Sequence, residues 1–326
     1  MESMNYTELD WRWAIVLGIA LRDGLLDEVA LEPRSADEVA RRLAFDPRAT
    51  YVLLSALGEL EILEEVGGRF LVREEHRGPL LEPGHPDYAG GSVVHRSELI
   101  GSWGRIGEIL RTGEPVEDRT SSDFGGTTTF IQSMRRGARA GAKGVAEAVL
   151  SRLPDGASIL DVGGGPGTNA EAFVRLGHAR GVSGEEVSVT VFDRPEVIEL
   201  MRETLSASGI KAEAGDMNEA LPEGPFDAIY YGNTSHMYGP GENRVLFSRM
   251  RGSLVPGGLL VVREFVRGMS EDAALFAVNM LVLTSGGGTY TAAEYEAWLR
   301  EAGFEEVEFV PVPGRGTHLI FARNPG

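Results

Sequence analysis

The residues with the clearest chemical potential lie in one glycine loop and at three strand ends. Asp161-Val162-Gly163-Gly164-Gly165-Pro166-Gly167 directly follows the apolar run SILDV and precedes a helical pattern. Gly163, Gly165 and Gly167 let the backbone approach a ligand closely and take positive φ where the turn demands it. A tight strand-to-helix turn is the plain alternative, but the context is that of a nucleotide-type ligand. Residues 165–170, GPGTNA, also satisfy G-x-G-x-x-A, so a dinucleotide competes for the loop. Asp161 argues against it: two residues before the first glycine, a carboxylate gains nothing from a pyrophosphate but pairs well with an ammonium. Asp193, after VSVTVF, is placed to accept from two ribose hydroxyls. Asp216, after KAEAG, is placed to accept from an adenine amino group, with Met217 packing on the ring. Each aspartate alone reads equally well as a helix cap. Three carboxylates at three consecutive strand ends do not, and together they favour S-adenosylmethionine, which has an ammonium, a ribose and an adenine but no phosphate.

Methyl transfer from a sulfonium needs an aligned acceptor and a base to take its proton. His236 lies just beyond the strand-like run FDAIYYG and before a helix starting near Pro240, on the glycine-loop side of the chain's strand ends. A solvent-facing or capping histidine is the ordinary alternative. Glu264, in VVREFV, ends the next strand, where a carboxylate can pair with Arg263 or Arg267. Met237 and Met280 are candidates for the wall of an acceptor pocket, although methionines, like aromatic residues such as Phe130 at i, i+4 spacing from Met134, pack cores equally well. Asn233 and Asn279 are able to hydrogen-bond a polar acceptor. His76, His85, His95, His178 and His318 show no metal-ligand spacing, so no metal is expected.

These residues need elements to position them. SILDV (158–162), VSVTVF (187–192), KAEAG (211–215), FDAIYYG (226–232) and LLVVREF (259–265) alternate with helical patterns, which implies βαβ units and a parallel sheet covered on both faces. VEFVPVP and THLIFAR add two strands, expected as a closing hairpin. Seven strands wound in this way make a doubly wound, Rossmann-like sheet that binds ligands beyond its carboxyl ends. The first hundred residues differ in kind. Ser35 and Glu38 have capping-box spacing, Asp46-Pro47 starts another helix, and ILEEVGGRFLV suits a hairpin around Gly67-Gly68. Helix, helix, hairpin is the order of a winged helix. Between the two regimes, GEPVEDRTSSDFGGTTT collects turn formers.

The chain has 326 residues, 31 Lys+Arg against 49 Asp+Glu, a net charge of −18 and no cysteine. No disulfide, thiolate nucleophile or cysteine-held metal is available. The acidic balance opposes binding to nucleic-acid phosphates or anionic membranes. A winged-helix DNA-binding regulator is the main non-enzyme reading. Its recognition helix would be residues 47–61, exposing Arg48, Thr50, Ser55 and Glu59, but acidic side chains outnumber arginines nearly two to one in residues 1–115. Dimerisation is a better use for that region, with WRWAIVLGIALRDGLL burying surface across a two-fold axis. There is no signal-peptide pattern and no apolar run of membrane-spanning length, so the expected location is cytoplasmic.

The sequence resembles the plant-type O-methyltransferases, a family that includes caffeic acid and acetylserotonin O-methyltransferases and bacterial enzymes that tailor antibiotics. The markers are LDVGGGPG (160–167), VFDRPEVIE (191–199), GDM (215–217), HMYGPGENRVLFSRMRGSLVPGG (236–258) and SGGGTYTAAEYEAWLREAGF (285–304). The resemblance implies a winged-helix dimerisation domain at 1–112, a helical linker covering the active site at 113–152, and a methyltransferase domain at 153–326. It implies S-adenosylmethionine as donor, S-adenosylhomocysteine as product, and a homodimer acting on a small hydroxylated aromatic or polyketide-like compound. His236 falls where the family keeps its catalytic base, Glu264 at the first acid that orients it, and Phe130 and Met134 at the aromatic-and-Met pair over donor and acceptor. Two positions depart from the plant pattern: Thr289 stands for the second acid, and Gly232 for a lysine four residues before the histidine. The missing second acid leaves open the hydroxylation or decarboxylation that some relatives perform, and N- or C-methylation stays open because the donor site is common to all three transfers.

Overall fold

The structure is a computed structural model that describes residues 4–6, 8–119, 127–180, 186–314 and 316–326. The chain divides into two compact units, Met1–Arg105 with Gln132–Arg136, and Ile106–Ile131 with Gly137–Gly326.

The first unit begins with helices α1 (Trp11–Arg22), α2 (Leu25–Glu28), α3 (Ala36–Leu43) and α4 (Pro47–Glu59). Ser35 caps α3 in the expected capping box with Glu38, and Asp46 accepts from Ala49 N at 2.8 Å to start α4. Strands β1 (Leu63–Val66) and β2 (Arg69–Val72) pair antiparallel around Gly67 and Gly68, whose φ values of 61° and 74° are those of a tight hairpin turn. Helices α5 (Glu74–Leu81) and α6 (Gly90–Trp103) follow. Leu17, Leu26, Leu54, Leu57, Ile62 and Phe70 form the centre of the core. One expectation fails here: Thr50 is buried and Ser55 half-buried, while Tyr51 and Val52 face outward. Thr50 lies four residues before Leu54 and seven before Leu57, so it shares their face, and its hydroxyl donates to the Asp46 carbonyl at 2.9 Å.

The second unit contains α7 (Ile106–Thr112) and most of the long helix α8 (Thr127–Leu150), then β3 (Ser158–Val162), α9 (Thr168–Arg180), β4 (Ser188–Asp193), α10 (Pro195–Ala207), β5 (Lys211–Ala214) and β6 (Phe226–Gly232). A 3₁₀ turn over Ser235–Met237 leads to α11 (Pro240–Gly252), β7 (Leu254–Glu264), β8 (Val266–Arg267), α12 (Glu271–Leu283), β9 (Tyr290–Thr291), α13 (Ala292–Glu301), β10 (Glu305–Pro311) and β11 (His318–Arg323). The seven-stranded sheet runs β10-β11-β7-β6-β3-β4-β5, parallel from β7 to β5 and closed by the antiparallel β10–β11 hairpin, as the sequence pattern requires. Helices cover both faces. Val145, Val149, Phe173, Ile198 and Leu205 pack on the side of Ile159, Val191 and Val261; Leu246, Phe247, Tyr295 and Trp298 pack on the side of Leu160, Val162 and Leu260. Among the described residues no helix is long and apolar enough to cross a membrane.

Candidate active site

The glycine loop bridges β3 and α9 at the carboxyl edge of the sheet. Gly163, Gly165 and Gly167 have φ of 68°, 51° and 70°, a region where a side chain would be strained. Gly163 is also crowded: a Cβ there would lie 2.8 Å from Thr234 Oγ1 and 3.4 Å from Met217 Cε. The ends of β3, β5 and β6 therefore converge at one point.

Asp161 lies beneath this loop, 2% exposed, with Oδ2 buried and without a hydrogen-bond partner. Burial, and next the charge of Asp193, push its carboxyl up to about 8. Asp193 is itself raised by burial, which outweighs the backbone N–H groups of Arg194 and Gly165 that donate to its two oxygens at 2.7 and 2.8 Å. A carboxylate has about four lone-pair sites, so both oxygens keep acceptor capacity for a ligand hydroxyl. Asp216 is exposed, accepting from Asn218 N at 2.8 Å, and Met217 beside it is buried. A buried carboxyl with one unpartnered oxygen, flanked by a second carboxyl, is chemically suited to a cationic group, and an ammonium fits.

His236 sits in the 3₁₀ turn beyond β6, 6% exposed. Its Nδ1 is 2.8 Å from Glu264 Oε2, and its backbone N donates to Glu264 Oε1 at 3.2 Å. Phe265 N also donates to Glu264 Oε2, at 3.3 Å, so three N–H groups converge on a carboxylate that is 0% exposed. Glu264 thus serves His236, not the neighbouring arginines: Arg263 Nε donates to Thr317 Oγ1 and Arg267 pairs with Glu294. With the Nδ1 proton directed to the carboxylate, a neutral imidazole keeps its lone pair on Nε2.

Several supporting residues carry no sequence signal. Phe276 of α12 meets the His236 ring edge-on at 4.7 Å and stacks on Phe265 at 4.2 Å. The Asn243 side-chain amide, on α11 and fully buried, donates to the carbonyls of Ser235, Tyr238 and Gly239 at 3.0, 3.0 and 3.1 Å, fixing the turn that carries His236. Gly288 N donates to the His236 carbonyl at 2.9 Å, and a Cβ on Gly287 would overlap that oxygen. Thr289 is buried, its hydroxyl donating to the Ala273 carbonyl at 3.0 Å, so it supplies no acid to the histidine. Met237 is half-buried beside His236, and Met280 is buried in α12. Met134 is half-buried in α8, within the segment that clusters with the first unit, and the Phe130 side chain lies outside the described residues. No cluster of three or more metal-ligating side chains occurs among the described residues.

Comparison with known proteins agrees with this geometry. An O-methyltransferase domain matches residues 116–305. The 3-hydroxy-5-methyl-1-naphthoate 3-O-methyltransferase of Streptomyces sahachiroi is 32% identical over 323 residues, covering 94% of this chain and 90% of that relative. The tetracenomycin polyketide synthesis 8-O-methyl transferase TcmO of Streptomyces glaucescens is 28% identical, covering 91% and 89%. Among solved structures, human N-acetylserotonin methyltransferase in complex with SAM has the same fold, with a TM-score of 0.72, 24% identity, and coverage of 97% of this chain and 95% of that one. The resemblance read from the sequence therefore holds, and the chain belongs to the O-methyltransferase domain family.

Proposed function

We propose that this family member uses S-adenosylmethionine to methylate a hydroxyl of a small aromatic or polyketide-like compound, with His236 as general base and Glu264 as its orienting carboxylate. The observation that carries the chemistry is the buried His236–Glu264 pair at the same sheet edge as the glycine loop. The acceptor class draws support from relatives named for a hydroxynaphthoate and for tetracenomycin polyketide synthesis.

When bound, S-adenosylmethionine supplies a methyl group already activated by its sulfonium. The protein's part is alignment and proton removal. Holding the acceptor in line removes about 7–11 kcal/mol of translational and rotational disadvantage. A phenol titrates near pH 10 and an imidazole near 6.5, so a base of this type accepts the proton as charge leaves the oxygen. Glu264 fixes the tautomer and faces the charge that develops on the ring. Asp161 would hold the ammonium of the donor, Asp193 its ribose, and Asp216 with Met217 its adenine. Gly163, Gly165 and Gly167 give the backbone room to approach it.

The first unit, with exposed Trp11, Tyr51 and Val52, would pair two copies in a cytoplasmic homodimer; sedimentation velocity tests this directly. Calorimetric titration with S-adenosylhomocysteine and, separately, NADH tests the donor. Micromolar binding of the former alone supports the reading, whereas binding of NADH alone returns the loop to the dinucleotide class. An acceptor screen that includes amines as well as phenols distinguishes O- from N-transfer.

A further inference from the structure

On the sheet face opposite the His236–Glu264 pair, β7 holds a buried cation with no carboxylate paired to it among the described residues. Arg263 is 4% exposed. Its Nε reaches Thr317 Oγ1 at 3.3 Å, while Nη1 is buried without any hydrogen-bond partner. Elsewhere in this unit Arg152 pairs with Glu308, Arg194 with Glu196 and Arg244 with Glu301, while the half-buried Arg249, Arg251 and Arg323 donate to backbone carbonyls. Arg263 makes no such pair among the described residues, and the adjacent Glu264 is committed to His236 on the other face.

Register defines its surroundings. Gly232 pairs with Arg263, Tyr230 with Val261, and Asp161 with Tyr230. The two-residue period of strands then puts Asp161, Tyr230 and Arg263 on one face. Gly232 lends no side chain, and the Tyr230 ring occupies the space, 2.5 Å from where a Cβ would stand. Tyr230 Oη, like Asp161 Oδ2, is buried and has no hydrogen-bond partner. Burial raises the Tyr230 phenol, while the Arg263 charge and a loose hydrogen-bond contact with that guanidinium oppose the rise, so the two are neighbours and the hydroxyl answers the cation only as a neutral group. A buried guanidinium without a counter-charge is strongly unfavourable, and neutral acceptors leave that charge unanswered. This one lies at the carboxyl edge of the strands, where doubly wound sheets bind ligands.

We propose that Arg263 and Tyr230 form a carboxylate-recognition subsite at the carboxyl ends of β6 and β7, filled by a carboxylate of a bound reactant. The planar fork of a guanidinium matches a carboxylate in geometry as well as charge, and Tyr230 Oη adds a further donor. Two reactants can bring that group. One is the amino-acid end of the donor, whose ammonium Asp161 would meet on the same face. The other is an acceptor that is an aromatic hydroxy acid. The inference rests on the donor reading proposed above.

The test compares ligand pairs that differ only in the carboxylate, by calorimetry on the full chain. The donor pair is S-adenosylhomocysteine and its decarboxylated form, which keeps the ammonium. The acceptor pair is 3-hydroxy-2-naphthoate and 3-hydroxy-2-naphthamide. The wild type should prefer the acid of one pair by about 10- to 100-fold. Arg263→Gln should erase that preference while leaving binding of the partner without a carboxylate within about twofold, and Arg263→Lys should restore part of it. Tyr230→Phe should reduce the same preference by a smaller factor, and it stands as evidence by itself where Arg263→Gln does not fold. Preference within the donor pair assigns the subsite to the donor; preference within the acceptor pair assigns it to the acceptor. No preference in either pair, or a preference that neither variant changes, overturns the subsite while S-adenosylhomocysteine binding still upholds the donor reading. Failure of the wild type to bind S-adenosylhomocysteine defeats that reading and takes the subsite with it.

Discussion

Across the thickness of one sheet, two consecutive residues of β7 live in opposite circumstances. Glu264 is fully buried, yet three N–H groups donate to it and a histidine stands against it. Arg263 is nearly as buried and meets one hydroxyl through Nε, with Nη1 unpartnered; Tyr230 Oη and Asp161 Oδ2 on its face are unpartnered too. Buried polar groups in folded proteins are nearly always satisfied. Tyr231 Oη and His318 Nδ1, on the Glu264 face by register, lack partners as well, but the buried cation without a carboxylate lies on the Arg263 face, and that charge calls for a complement of opposite sign. The first face reads as machinery and the second as a receptor.

The comparison breaks most visibly at His236. His236→Ala should lower the single-turnover rate of methyl transfer by about 10²–10⁴-fold while S-adenosylhomocysteine affinity stays within about twofold. A rate that survives nearly intact would remove the base from the machinery face. Glu264→Gln keeps the shape but removes the counter-charge to an imidazolium. It should cost on the order of 10-fold or more in rate, with a changed pH–rate profile.

On the other face, Asp161→Asn should act with the opposite sign on stability. The Asp161 carboxyl is raised to about 8 in the folded chain, against about 3.9 unfolded. A raised acid means the folded state holds a proton that the unfolded state releases. Stability from this group is complete below about pH 4 and declines as pH rises towards about 8. Melting temperature measured from pH 5 to 8 should therefore fall less steeply for Asp161→Asn than for the wild type, and affinity for S-adenosylhomocysteine should drop. Equal slopes would mean that the carboxyl is not strained in the unliganded chain. The smallest effect is expected at Asn243→Ala, which takes one donor from each of the Ser235, Tyr238 and Gly239 carbonyls and leaves them Tyr238 N, Tyr290 Oη and the backbone N of residue 243. A stability loss of about 1 kcal/mol in urea titration, accompanied by a lower rate, would mark it as a positioning residue.

Much of this was legible before any coordinates. Strand-length apolar runs separated by helical patterns gave the sheet, because burial on both faces leaves continuous hydrophobic stretches. Asp161, Asp193, Asp216 and His236 were readable because each lies at or shortly beyond the end of a strand-like run. Other features depend on what sequence spacing does not encode. Phe276 sits in the nearly uniformly apolar EDAALFAVNM, where no residue stands out. Asn243 is an ordinary polar residue in the first turn of a helix until the 3₁₀ turn is seen to pack against it. Thr50 looked exposed by its chemistry, but its position relative to Leu54 and Leu57 decides its burial. Arg263 and Tyr230 became a pair only once the register of β6 against β7 was known, since a shift of one residue would put them on opposite faces.

The Asn243 clamp has a consequence for anyone redesigning this protein. Three carbonyls of the His236 turn hang from one side chain on α11, and α11 is anchored to the sheet by Leu246, Phe247 and Met250. The base is therefore mounted on the scaffold although it lies between a strand and a helix. Libraries that vary residues 233–239 would loosen the reference point from which any new acceptor must be measured. Diversity belongs in the side chains around that point, with the turn and its amide left as they are.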